Sequence, residues 1–419
     1  MSTRAEVEQA VAAAHRREWA TLLASTVRTT RDLDLAEECV QEAFAQALTT
    51  WGRTGIPFQP GAWLMTAARR RAIDAVRREA ALRPKLPLLV FSDETAEEGP
   101  FGDEERADHL SDERLRLIFM SCHRALASDA QLALTLRLVC GVPTADVARA
   151  LLVSESTMSA RLTRAKRKIA IARIPVRVPS AAELPDRLPS VLGVVHLLFS
   201  LGYAAPTGTE LQRVDLKEES LRLARLLFEL MPDEREVAGL LALLLATDAR
   251  RATRVGADGM PITLDRQDRT RWDRPMLDES RALIVAGLRG VRPGRFVLQA
   301  AIASLHAEAP TYADTDWDQI LRLYDELLVV WPSPVVALNR AVALSMTAGP
   351  EPALAEVEAL EAEGRLRDYH YLPAVRADLL RRLGRNEEAA DADRDALALT
   401  TNDAERRLLA ERLGGTVRP

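Results

Sequence analysis

Six basic residues fall between Arg161 and Arg173, and no acidic residue occurs between Ser156 and Ala182. A solvated helix normally mixes charge signs, so a stretch this one-sided calls for a polyanion. It follows Gly141-Val142-Pro143-Thr144 and the short segment Ala145–Leu151. A short helix, a turn and a longer helix make the helix-turn-helix plan, whose second helix enters the DNA major groove. Helical spacing places Met158, Leu162, Ala165, Ile169 and Ala172 on one inward stripe. That leaves Ser156, Thr157, Ser159, Ala160, Arg161, Arg164 and Lys168 facing out. The small side chains let backbone approach base edges, and Arg and Lys hold phosphates. A second basic helix carries Arg69, Arg70, Arg71, Arg77, Arg78, Arg83 and Lys85 against only Asp74 and Glu79, with Trp63, Leu64, Ala67 and Ile73 as its apolar side. Trp63 reads either as core or as a platform for an unpaired base. A third patch, Glu37, Glu38, Gln41 and Glu42, has the wrong sign for DNA. It is either plain solvated surface or a dock for a basic protein.

Catalysis finds no support. Walker, HExxH, triad and paired-cysteine patterns are missing. His15, His109, His123, His196, His306 and His370 are scattered, and Cys39, Cys122 and Cys140 show no metal-ligand spacing, so no metal, cofactor or disulfide framework is expected. The cluster Asp265, Asp268, Arg269, Arg271, Trp272, Asp273 and Arg274 reads equally as a ligand or partner site and as caps with surface ion pairs. A composition of 47% hydrophobic and 28% charged residues excludes a mainly disordered chain. The longest apolar run, Val191–Leu201, is too short to span a bilayer, and the start of the chain lacks a secretory pattern. A reducing cytoplasm with no membrane contact is the expectation. The net charge of −5 conceals an asymmetry: residues 1–180 hold 26 Lys and Arg against 23 Asp and Glu, the remainder 30 against 38. Different halves therefore expect different partners.

The elements that position these residues read as helices throughout. Asp34 with Glu37 predicts a helix start, after which Ala36, Cys39, Val40, Ala43, Phe44, Ala47, Leu48 and Trp51 follow one apolar stripe. The turn Thr54–Gly61 leads to a helix from Ala62 to Arg83. Lys85–Leu110, acidic and aperiodic, reads as a linker. Four helices follow, at Asp112–Leu126, Asp129–Val139, Ala145–Leu151 and Ser156–Arg173, with a Ser128/Gln131 capping box and a Thr144 N-cap. Prolines 175, 179, 185 and 189 mark a second linker. From about residue 190 helices resume, broken at Arg254–Leu264, where Ala257-Asp258-Gly259 can turn a small hairpin. Met231-Pro232 and Trp331-Pro332 stand 100 residues apart, and Ala398–Asn402 ends a helix about 70 further on. Both intervals approach multiples of the ~34-residue tetratricopeptide period. Small residues Ala377, Gly384, Ala389 and Ala396 stand where such helix pairs pack closest.

Two motif sets carry a resemblance. Ala36-Glu37-Glu38-Cys39-Val40-Gln41-Glu42-Ala43-Phe44, with Ala62-Trp63-Leu64 and Ala68-Arg69-Arg70-Arg71-Ala72-Ile73-Asp74, resembles region 2 of sigma-70-family initiation factors. Leu151-Leu152-Val153 through Arg164-Ala165-Lys166-Arg167 resembles their region 4, with Leu152 in the place of the usual turn glycine and Arg70 in that of an asparagine. The pair, with no domain between, is similar to the compact extracytoplasmic-function group. Residues 185–419 resemble the helical, tetratricopeptide-like extension of one subgroup, through Gln267–Arg274, Asp316-Trp317 and Leu323-Tyr324-Asp325; Ser200-Leu201-Gly202-Tyr203 departs from the expected Asn-Glu-Gly-Tyr.

The resemblance implies an all-α chain: region 2 over 1–85, the acidic linker over 86–110, region 4 over 111–178 and the repeat extension over 185–419. Glu37, Glu38, Gln41 and Glu42 would dock on the clamp helices of RNA polymerase core, region 4 on its flap. Phe58, Gln59, Trp63, Arg69, Arg70, Arg77 and Arg78 would hold melted −10 DNA, and Ser156, Thr157, Ser159, Ala160, Arg161, Arg164 and Lys168 would read the −35 duplex. The linker would mimic nucleic acid in the polymerase's RNA path; extended, it reaches at most ~85 Å. A regulatory protein or ligand would bind the repeats, and the factor would be cytoplasmic, joining the nucleoid in holoenzyme. Two other readings compete: a helix-turn-helix regulator with a ligand-sensing repeat domain, and a repeat adaptor whose helix-turn-helix is incidental. Neither gives both basic helices and the acidic face a purpose.

Overall fold

Helix α1 (Arg4–Thr30) begins at a reciprocal cap that the sequence reading passed over. Thr3 Oγ1 accepts from the Glu6 amide at 3.3 Å while the Thr3 amide donates to the Glu6 carboxylate at 2.7 Å. Asp32 caps α2 (Leu33–Thr54), two residues ahead of the expected start, and Gly55 at φ 86° ends it. Proline opens α3 (Pro60–Leu82), where its missing N–H costs nothing. Val7, Trp19, Leu22, Phe44, Trp51 and Leu64 interlock these three helices into one core. The computed structural model describes residues 3–82, 112–172, 179–289 and 292–415. The expected linker at 86–110, together with Arg83 and Lys85, lies outside them.

Next come α4 (Glu113–Ser121), α5 (Ser128–Leu134) with a π-helical turn at Thr135–Val139, α6 (Thr144–Ala150) and α7 (Glu155–Ile171). Neither predicted cap is realised. Gln131 turns back to the His123 and Leu126 carbonyls, both at 2.9 Å, so Ser128 has no reciprocal partner. The carbonyl of Pro143, not Thr144, closes the first turn of α6, accepting from Asp146 and Val147 at 3.0 Å. Its other end is a Schellman turn: Val153 N–H reaches Ala148 O and Leu152 N–H reaches Arg149 O. Leu152 therefore sits at φ 53°, a conformation costing a leucine about 1 kcal/mol. The turn keeps its left-handed geometry without the glycine.

The chain divides into two compact units: Met1–Val147 with Glu155–Val194, and Ala148–Ser154 with Val195–Pro419. Helix α8 (Leu184–Tyr203) runs through that division. Over its 20 residues it is long and apolar enough to cross a membrane, contrary to the reading from Val191–Leu201 alone. Most of it is buried, Val191, Leu192, Val194, Val195, Leu198 and Phe199 included, as in the core helix of a water-surrounded fold.

The second unit is a procession of helices: α9 (Val214–Leu230), α10 (Arg235–Asp248), α11 (Arg274–Gly287), α12 (Arg295–Glu308), α13 (Trp317–Val330) and α14 (Pro334–Thr347). It ends with α15 (Pro350–Glu363), α16 (Tyr371–Arg382), α17 (Asn386–Leu399) and α18 (Asp403–Gly415). Most pack on their sequence neighbours, and α10 packs on α12 as heavily as on α11, so that contacts stay among elements near one another along the chain, the solenoid pattern. The suspected repeat is real in three dimensions. Met231 and Trp331 close α9 and α13 with the same bond, to the buried Leu227 and Leu327. Ala377, Ala389 and Ala396 are buried as close-packing positions, but Gly384 is not one: it is the left-handed residue after α16, at φ 76° with no atom near its missing Cβ. Among the described residues no strand forms; the expected hairpin is one bridge, Val255 to Pro261, around Gly259 at φ 78°.

The procession also closes on itself. Asn402, fully buried, donates to Ala205 O at 3.0 Å and Glu210 O at 2.9 Å, and Asp403 N–H reaches Gly208 O at 3.0 Å. Two enclosed histidines add a pH dependence to this unit. Burial, then the nearby Arg295, pushes His196 down to about 3; burial, then Arg250 and Arg269, pushes His306 down to about 4. Below pH 6.5 the unfolded chain binds protons that the folded one refuses, so stability is full above that pH and falls until the folded values are reached. Thermal melts at pH 7 and pH 5 should show this unit weaker at pH 5 by about 3 kcal/mol.

Candidate nucleic-acid interface

The basic face of α3 stands ready for a ligand. Arg69, Arg70, Arg77 and Arg78 are exposed, and Arg78 donates to the Asp74 carbonyl one turn back. Arg71 instead turns to α2, pairing with Glu42 and, at 3.2 Å, with Gln46. Phe58, in the loop before α3, is 99% exposed, and Gln59 beside it is exposed too. Water is a poor solvent for an uncovered phenyl ring, so this loop gains by stacking on something. Trp63 is half-buried, its ring edge-on to Trp51 at 5.6 Å, which makes it part of the region's core wall rather than a free platform.

On α7, Met158, Leu162 and Ala165 form the inward stripe as expected, whereas Ala172 is exposed beyond the helix end. Ser156, Thr157, Ser159, Ala160, Arg164 and Lys168 all face solvent. Arg161 does so only partly: its guanidinium lies 3.3 Å from Asp129 and is mostly covered. The two arginines of this face are thus unequal. Duplex DNA on this face would meet Arg164 as an exposed phosphate donor, so Arg164→Ala should weaken duplex binding about 10-fold while leaving the melting temperature alone. Arg161→Ala should weaken it less and lower stability as well; gel-shift titrations beside thermal melts separate the two.

The acidic face differs most from expectation. Glu38, Gln41 and Glu42 are exposed, but Glu37 is only 7% exposed, and Leu48, assigned to the apolar stripe, is out in solvent. What covers Glu37 is the helix-turn-helix region. Lys166 Nζ sits 2.9 Å from Glu37 and 2.7 Å from Asp34, and Arg137 approaches Glu37 at 3.9 Å. Burial alone would lower the Lys166 pKa, yet the bonds to Asp34 and Glu37 outweigh it and hold the ammonium above its ordinary value. Gln41 donates to Glu37 at 3.0 Å, and Trp19 Nε1 donates to the Leu138 carbonyl at 2.7 Å. Sequence reasoning missed Lys166 and Asp34. The available signal was a lysine, flexible and point-charged, in a chain whose basic residues are nearly all arginine.

Comparison with known proteins now decides the lineage. Residues 14–81 match the family described as Sigma-70 region 2, and residues 116–169 match Sigma-70, region 4. The chain belongs to the sigma-70 family. Members of that family are transcription-initiation factors rather than enzymes, which gives this chain a DNA-binding role in initiation. Residues 187–287 match a family of unknown function (DUF6596). An uncharacterized protein of Rhizobium meliloti (strain 1021) is 44% identical over 383 residues, 91% of this chain and 90% of its own length. The whole architecture, extension included, is therefore shared. Among solved structures, yeast Tom70 aligns over 98% of this chain and 84% of its own at 13% identity with a TM-score of 0.36.

Proposed function

We propose that this sigma-70 factor works as a member of the extracytoplasmic-function group, binding RNA polymerase core and directing it to promoters by two separate DNA contacts. Glu38, Gln41 and Glu42, joined by Glu37 once Lys166 lets go, dock on the clamp helices. Phe58 and Gln59 take unstacked −10 bases while Arg69, Arg70, Arg77 and Arg78 hold the strand. Trp63 supports that loop from the core side. Ser156, Thr157, Ser159 and Ala160 approach the −35 bases, with Arg164 and Lys168 on phosphates and Arg161 set by Asp129. The observation that carries this reading is the pair of exposed cationic helix faces, α3 and α7, in one chain with an aromatic side chain wholly uncovered beside the first.

The test is promoter-dependent transcription by purified protein with core polymerase. Transcripts from some genomic promoter, with loss on Phe58→Ala, support the proposal. No core binding, or a footprint by the protein alone on a palindrome, overturns it in favour of a conventional regulator. The extension, in this reading, regulates the factor in cis. A chain ending after Tyr203 keeps Arg187, whose guanidinium donates to the Phe119 carbonyl at 2.9 Å, so it tests regulation without unpicking the first unit. Transcription unchanged by that truncation removes the regulatory role.

A further inference from the structure

The Ser200–Tyr203 segment lies 51 positions before the Arg254–Leu264 turn and its neighbouring Gln267–Arg274 motif, and all three are unused by the promoter reading, yet they meet. The Arg254 guanidinium lies 3.2 Å over the Tyr203 ring and donates to the Tyr203 carbonyl at 2.6 Å. Arg250 donates to the Tyr203 hydroxyl at 3.0 Å and lies 5.9 Å from the Trp272 ring. Arg269 lies over that same indole at 4.9 Å. Three guanidiniums are thus strung along two aromatic rings.

None of the three has an ion-paired carboxylate among the described residues, although other arginines of this unit do: Arg225 with Glu279, Arg251 with Asp248, Arg281 with Glu308 and Arg340 with Asp325. Glu405 attracts Arg254 and Asp314 attracts Arg269 only at a distance, without an ion-pair contact, and other acids of this unit are committed elsewhere. Asp248 is held by Lys217 at 2.7 Å and Arg251 at 2.9 Å; Asp273 caps α11. Glu405 accepts from the Tyr371 hydroxyl at 2.6 Å and faces His370 at 3.2 Å. Arg269 is only 8% exposed, and while its Nη1 donates to the His306 and Ala309 carbonyls, its Nη2 is buried with no hydrogen-bond partner. Burial, and then repulsion from Arg250, lowers the pKa of Arg269; burial and Arg250 also lower that of Arg254. Like charges gathered with no carboxylate in ion-pair contact, in a partly desolvated place, raise the free energy of the empty site, and an oxyanion relieves it.

We propose that Arg250 and Arg254, on the Tyr203 ring and backed by the field of Arg269, form a binding site for the oxyanion group of a small ligand, phosphate or carboxylate. The site lies within the stretch matching the family of unknown function. It would give that domain a ligand-binding role, and it stands whether or not the promoter reading does, because binding is measured without polymerase or DNA.

The test is calorimetric titration of the full-length protein with inorganic pyrophosphate in one arm and citrate in the other. Saturable binding in either arm, weakened at least 10-fold by Arg250→Gln and unchanged by Arg251→Gln, is the expected result. The arm that binds names the ligand's acid group. Arg250→Gln keeps a donor for the Tyr203 hydroxyl, and circular dichroism checks its fold. Two results overturn the proposal: no saturable heat with wild type in either arm up to ~10 mM, or equal weakening by both variants, which would mean diffuse surface charge. The first needs no variant, so the idea remains testable if Arg250→Gln fails to fold.

Discussion

Lys166→Glu is expected to raise the apparent affinity for RNA polymerase core by about 10–100-fold. In the first unit Lys166 bridges α7 to Asp34 and Glu37, and Glu37 is covered as a result. A polymerase surface that needs the whole acidic face must first open that contact, so its apparent affinity is reduced by the fraction of open molecules. Breaking one arm of a half-buried ion pair and replacing attraction by repulsion costs the closed form about 1.5–3 kcal/mol. That energy reappears as easier opening. Lys166→Gln should give a smaller gain, and adding Asp34→Lys to Lys166→Glu should restore part of the closure, the signature of a direct pair. Fluorescence titration with core polymerase reads the affinity, and amide exchange along α2 reads the opening. Unchanged affinity together with unchanged exchange would mean the contact does not gate docking. Because Lys166 is not among the proposed −35 contacts, DNA binding by α7 should vary little.

How much of this was legible beforehand follows from what helical periodicity can and cannot report. The α2 stripe from Ala36 to Trp51, the α7 stripe from Met158 to Ala165 and the exposed basic set on α3 were all readable, because each depends on residues three and four apart on one helix. Glu37 was misplaced since its burial is imposed by a lysine 129 positions away. Leu48 was misplaced for the converse reason: nothing arrives to cover it. Caps failed where a side chain had a better alternative; Gln131 found two carbonyls in the preceding loop, and Pro143 supplied a rigid first turn before Thr144 could. The repeat was visible because Met231-Pro232 returns as Trp331-Pro332 100 positions later, but the return of Asn402 onto Ala205 and Glu210 was not. Closure is a contact between ends, and it leaves no period. The cluster around Trp272 had two readings from sequence: Asp268 and Asp273 are caps, as the plainer one has it, whereas Arg269 is buried with its Nη1 on two carbonyls, which no spacing foretells.

The largest stability effect belongs to Lys217 and Asp248. Their charged ends meet at 2.7 Å, and their side chains are only 3% and 5% exposed. Gly202 explains why α9 can bring the lysine so far in: a Cβ there would lie 2.8 Å from both Lys217 Cγ and the Lys217 backbone nitrogen, so the C-terminal end of α8 lies against α9. Lys217→Met strands Asp248 in the interior with Arg251 alone, and Asp248→Leu strands the ammonium with Gln212. Each single change should cost the second unit about 3–5 kcal/mol, since a buried charge without its partner is the expensive case. The double variant should recover most of that loss, because an apolar pair of similar volume needs no counter-ion. Denaturant unfolding of the four proteins gives the coupling directly. Additive destabilisation with no recovery would show that the pair is held by surrounding packing rather than by its charges.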